Sequence, residues 1–200
     1  MLVTLAFAST QGPNSGVTAG AAWTSPTNAE VTDGVYATRS IVAGGASGGL
    51  SGSTYGFSIP VGATINGITV SIIGHCSATA SCDMTNTNGG SPQGICITKV
   101  AATCTGTTKL DSTSWLTTDA TFTEGSGSDL WGTTWAVSDI NSSGFGTMLA
   151  VENVSASSRT ASVDSILITV TFTPAPTGCK SCFLPLLQSQ TRTLKPTLGM

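Results

Sequence analysis

Thr64-Ile65-Asn66-Gly67-Ile68-Thr69-Val70-Ser71-Ile72-Ile73 is the stretch whose reading decides the fold. Seven of its ten residues are β-branched Ile, Val or Thr, which suits a pleated, half-buried strand rather than a helix. Apolar side chains fall on both parities, as expected for an inner strand covered on both faces. Pro60 and Gly62 just upstream supply the two backbone conformations that a tight turn needs before such a strand. A second long strand is predicted over 162–172, with Asp164, Ile166, Ile168, Val170 and Phe172 on the inward side. Shorter period-2 segments at 35–42, 54–59, 95–99, 104–110, 115–122 and 146–153 are separated by Gly, Ser, Asn and Pro clusters. No window carries a sustained 3.6-residue apolar stripe. The expected fold is all-β: an antiparallel, jelly-roll-like β-sandwich over residues 20–173. An N-terminal segment (1–19) precedes it and an extended C-terminal arm (174–200) follows it.

Charged residues make up 8% of the 200-residue chain and hydrophobic ones 40%, whereas soluble domains usually carry about 25% charge. Disorder needs more charge and fewer apolar groups, so the chain is expected to fold. With a net charge of -3 and seven Lys plus Arg, it offers no basic surface for DNA or RNA. No stretch approaches the ~18 apolar residues of a membrane span. Residues 1–8 are apolar but lack a basic start and a clear cleavage site, so no secretion signal is expected.

Little in the chain suggests catalysis. Acidic residues such as Asp33, Asp111, Asp119, Glu124, Asp129, Asp139, Glu152 and Asp164 are scattered singly, and the single His75 cannot anchor a triad or a His-rich metal site. Gly44-Gly45-Ala46-Ser47-Gly48-Gly49 lacks the Lys and the helix of a phosphate cradle and reads as a turn. The reading is therefore non-enzymatic, with no metal and no cofactor.

The six cysteines are Cys76, Cys82, Cys96, Cys104, Cys179 and Cys182. Cys179-x-x-Cys182 has the spacing of a zinc half-site or a redox pair, but no second pair of matching spacing accompanies it. Disulfides are the favoured reading. If 95–99 and 103–110 form a hairpin, Cys96 and Cys104 fall almost opposite; Cys76 and Cys82 either close their own short loop or send one member to Cys96. The tail cysteines are free to bond a neighbouring subunit.

Two further groups stand out. Trp23, Trp131 and Trp135 are large amphipathic rings that either seal an open end of the sandwich or stack on a glycan. Phe183, Leu184, Leu186 and Leu187 form an apolar cluster beyond the last predicted strand, interrupted by Pro185. Proline there favours an extended arm laid on another subunit.

Read in order, the chain presents Trp23-x-x-Pro26-x-x-Ala29 and Asp33-Gly34-x-Tyr36-Ala37, then Tyr55-Gly56-Phe57-x-Ile59-Pro60-x-Gly62-Ala63-Thr64-Ile65-x-Gly67-Ile68-x-Val70. Asp129-Leu130-Trp131-Gly132-x-x-Trp135, Asp139-Ile140 with Phe145-Gly146, and Val163-Asp164-x-Ile166-x-Ile168-x-Val170 follow. This order, over roughly residues 20–172, resembles a β-sandwich domain that recurs in uncharacterised structural proteins of tailed bacteriophages and prophages. The resemblance implies a virion component such as capsid decoration, neck or collar, tail or fibre. It would be made in the host cytoplasm and would act by assembly with copies of itself and other virion proteins. A carbohydrate- or receptor-binding module on the virion, touching a host surface glycan, is the alternative. The cysteine-bearing segments and the tail depart from the pattern.

Overall fold

A computed structural model of the chain describes residues 7–85 and 94–176. In chain order its strands are β1 (Ser9–Ser15), β2 (Val17–Ala19), β3 (Ala37–Ile41), β4 (Leu50–Ser53), β5 (Thr64–Cys76), β6 (Cys82–Asp83), β7 (Ile95–Val100), β8 (Thr103–Lys109), β9 (Ala120–Ser126), β10 (Gly146–Leu149), β11 (Glu152–Asn153) and β12 (Arg159–Thr173). A 3-10 turn, Pro26–Ala29, and one helical turn, α1 (Val137–Ile140), are the helical pieces.

Eight of these strands form nested antiparallel pairs. β1 lies against β12, β4 against β10, β5 against β9, and β7 against β8. The first strand thus pairs with the last, the second with the last but one, and so inward, as when a long hairpin is wound round a barrel. Two further pairings, β12 with β5 and β10 with β7, join the nested pairs into two sheets. One has the order β1-β12-β5-β9 with β3 also on β12; the other runs β2-β4-β10-β7-β8. This is the all-β antiparallel sandwich expected from the sequence. β6 and β11 make a small separate ladder.

The long strands carry the core, and a bulge in each explains its apolar pattern. β5 and β12 pair over almost their whole length, and their register slips between Thr171 and Phe172, so that Gly67 and Ile65 lie opposite consecutive residues. The extra residue, Asn66, switches parity: Ile65 is inward before it, and Ile68, Val70 and Ile72 are inward after it. Apolar side chains on both parities therefore reflect the bulge, not two covered faces, and Ile73 is left half-buried. A second slip between Val163 and Ser165 does the same in β12, where Ala161 and Val163 precede it and Ile166, Ile168, Val170 and Phe172 follow, all buried. Asp164 at the bulge is itself 2% exposed, its Oδ1 accepting the Asp33 and Gly34 N–H groups.

Several expected boundaries move. The sandwich begins at Ser9 and not at residue 20, because β1 and β2 form one strand that bends from one sheet to the other at Gly16. A Cβ at Gly16 would lie 2.5 Å from the Ser53 carbonyl and 2.7 Å from the Tyr55 ring, so the bend tolerates no side chain. Residues 54–59 are not a strand; Tyr55, Phe57 and Ile59 instead drop their side chains into the core from an irregular segment. The strand in that region is β4, upstream. The expected strand over 115–122 begins at Ala120, and 146–153 divides into β10 and β11.

Candidate functional site

Two disulfides lie among the described residues. Cys76 at the end of β5 bonds Cys82 at the start of β6, with Cα atoms 5.9 Å apart. Cys96 of β7 bonds Cys104 of β8 across the hairpin, with Cα atoms 5.6 Å apart. Cys76 and Cys82 thus close their own loop. Cys179 and Cys182, with Phe183, Leu184, Leu186 and Leu187, lie outside the described residues.

The tryptophans are seals. Trp23 is 5% exposed, Trp131 is fully buried and Trp135 is 9% exposed, so none offers a ring face to a sugar and the glycan-contact reading is corrected. Each indole N–H is satisfied within the chain: Trp23 donates to the Gly48 carbonyl (3.2 Å), Trp131 to Ile68 (2.9 Å) and Trp135 to Leu130 (3.0 Å). Lys109 Nζ sits 5.1 Å above the Trp131 ring and Lys99 Nζ 5.0 Å above that of Trp135, each held by a carboxylate 2.7 Å away, Asp129 and Asp139 respectively. The same module is used twice: a buried indole, a lysine over it, and an aspartate fixing the lysine.

Both aspartates also accept a backbone N–H, from Trp131 and Ala136. The lysine hydrogen bonds hold both carboxyls below the usual aspartate range. A depressed folded-state pKa gives stability that is complete above the unfolded value and lost as pH falls through the folded one. Stability is therefore expected to fall below about pH 4, with half-exposed pairs of this kind contributing about 0.2–1 kcal/mol each. Denaturant titrations from pH 6 to pH 2 check this, because the Asp129→Asn/Asp139→Asn protein should show a shallower decline.

Other polar groups close loops. His75 Nδ1 lies 2.8 Å from Asp119 Oδ1, whose other oxygen accepts the Tyr36 hydroxyl (2.8 Å). Asp83 and Glu152 face each other across the β6–β11 ladder, both buried, with Thr85 Oγ1 2.6 Å from Asp83 and 3.2 Å from Glu152. The sequence spacing of 69 positions hid this pair. Asn141 and Asn153 both begin N-x-S triplets, yet both amides are engaged. Asn141 exchanges two bonds with the Ile59 backbone, and Asn153 donates to Ile41, Val42 and Ser157 carbonyls. Among the described residues no group of three His, Cys, Asp or Glu is placed to hold a metal.

The sheet edges differ in how they are finished. β3 is bridged on its outer side by Thr24, whose backbone exchanges two bonds with Thr38. The outer N–H of Thr18 in β2 donates to Glu30 Oε1, and β8 donates its Thr107 N–H to the Trp131 carbonyl. β1 contains Pro13 and is flanked by residues 55–58, through Asn14 to the Tyr55 carbonyl and Ser58 N–H to Gln11. β9 bonds β5 on one side, and beside it stand Glu124, Asp111 and the Lys109–Asp129 pair. Burial, then Asp111, pushes the Glu124 carboxyl up. A raised folded-state pKa means that the ionised form disfavours folding, a cost fully present above that pKa and relieved as pH falls toward the unfolded value. Glu124→Gln should accordingly raise the melting temperature at pH 7 and leave it unchanged near pH 3.

No known family model, curated protein or solved structure matches the chain.

Proposed function

We propose that this chain is a non-enzymatic structural protein of a tailed-phage virion, made in the host cytoplasm and acting by assembly with copies of itself and with other virion proteins. One observation carries the reading: the residues of the phage-like motif order are the ones that build and seal the sandwich. Trp23, Tyr55, Phe57, Ile59, Trp131, Trp135, Ile140 and Phe145 all belong to one buried cluster. The likeness is thus a likeness of the body itself, and its polar residues are used for capping and closing it. Two disulfides suit a body that forms in a reducing compartment and then persists outside it.

The test is to purify particles from a producing lysate on a density gradient, wash them in high salt, and search them by mass spectrometry. Peptides of this chain should co-sediment with infectivity and survive the wash. Recovery of the chain only from the soluble fraction would overturn the reading.

A further inference from the structure

We infer that the outer edge of β9 receives residues 188–195 of a second copy of this chain as an added strand. The inference rests on the assembly reading above and names its contact.

The acceptor is defined by what the other edges lack. β2, β3 and β8 each have an outer backbone group occupied, by Glu30, Thr24 and Trp131 respectively, and β1 is interrupted by Pro13 and flanked by residues 55–58 through its Asn14 and Gln11 side chains. On the outer side of β9, from Ala120 to Glu124, no described residue makes a backbone hydrogen bond. An unfinished edge is a template for strand addition, and proteins normally blunt such edges. Phe122 points into the core and Thr121 and Thr123 point out, so the edge has the regular alternation that an incoming strand can match.

Charge selects the occupant. Residues 7–176 hold all ten acidic residues and four of the seven Lys and Arg; residues 177–200 hold the other three, Lys180, Arg192 and Lys195, and no acid. In a chain with so few charges this is a marked segregation. At the β9 edge Lys109 is committed to Asp129, which leaves Glu124 and Asp111 as excess negative charge. Gln188-Ser189-Gln190-Thr191-Arg192-Thr193-Leu194-Lys195 is the polar and basic part of the longest Gly- and Pro-free run in the tail, which extends from Leu186 to Lys195 between Pro185 and Pro196. Its threonines alternate with Arg192 and Leu194, a strand pattern. Eight residues at about 3.3 Å each exceed the open part of β9.

The test uses the full chain, by sedimentation velocity and amide hydrogen exchange over a range of protein and salt concentrations. Association is expected to bring slower exchange at residues 120–124, and to weaken about tenfold or more between about 50 and about 500 mM salt. Arg192→Glu/Lys195→Glu should lose association and β9 protection together, and adding Glu124→Lys to that chain should restore both. Three results would overturn the inference: a chain that stays monomeric with freely exchanging β9 amides, association without β9 protection, or β9 protection independent of concentration, which would mean that the chain's own tail fills the edge. A monomeric chain still found in particles sinks the β9 contact alone, whereas β9-mediated association of a chain absent from particles sinks the virion reading alone.

Discussion

Replacing Trp131 with alanine is expected to cost about 3–5 kcal/mol of stability, the range for deleting a fully buried indole. The ring lies where the two sheets meet at their β8 and β9 edges. Its N–H donates to the Ile68 carbonyl on β5, its carbonyl accepts Thr107 N–H from β8, and its own backbone N–H is held by Asp129. Gly125 on β9 passes so close that a Cβ there would lie 2.8 Å from the indole nitrogen. Alanine removes the seal, leaves the Ile68 carbonyl buried without that donor, and strips Lys109 of the surface it covers. Trp131→Phe keeps most of the volume and loses the hydrogen bond, so it should fall between the two, about 1–3 kcal/mol below the parent. Guanidinium unfolding midpoints for the three proteins give the ordering. A loss under about 1 kcal/mol for the alanine protein would mean that the ring is a surface group, as a glycan platform would be.

The parts of this fold legible in the sequence are those in which one strand carries its own signal. Ile65, Ile68, Val70, Ile166, Ile168 and Val170 were expected inside and are at most 6% exposed. The alternation that places them survives because β5 and β12 run through the centre of one sheet, where burial reinforces propensity. β1, β2 and β4 were not legible. STQGPNS and LSGS are made mostly of turn-forming residues and VTA is only three residues long, and they become strands because β12, β10 and β4 are present to pair with. Gly52 belongs in β4 because the Tyr55 hydroxyl, bonded to Thr147 Oγ1, lies against it, a contact no local pattern encodes. The same holds for the polar constellations. Asp164 reaches residues 33 and 34, Asp83 meets Glu152, and Lys109 meets Asp129, each across a separation set by the strand winding. The disulfides were half legible: hairpin geometry placed Cys96 against Cys104, whereas the Cys76–Cys82 bond needed β6, which two residues alone could not announce.

Reducing both disulfides should have an effect as large as losing Trp131. Closing loops of this size is worth about 2.5 kcal/mol each in the chain-entropy picture, about 5 kcal/mol together. That approaches the whole stability of many domains, about 5–15 kcal/mol. For a chain of this length the melting temperature should drop by roughly 10–20 °C. Burial sets the order in which the bonds open. Cys76 and Cys82 are both fully buried, and Trp115 and Met84 beside them are too, so reductant reaches that bond only after local opening. Cys104 is half-exposed on β8, so its bond with Cys96 should be reduced first, with little loss of sheet structure. Alkylation after timed exposure to dithiothreitol, followed by peptide mass spectrometry, reads the order, and calorimetry on the partly and fully reduced chains reads the stability. Cys96→Ala/Cys104→Ala and Cys76→Ala/Cys82→Ala proteins separate the two contributions, the second losing more because both side chains also leave the core. If oxidised and fully reduced chains melt together, the bonds do not hold the sandwich shut, and the case for a body hardened for life outside the cell loses one of its two physical supports.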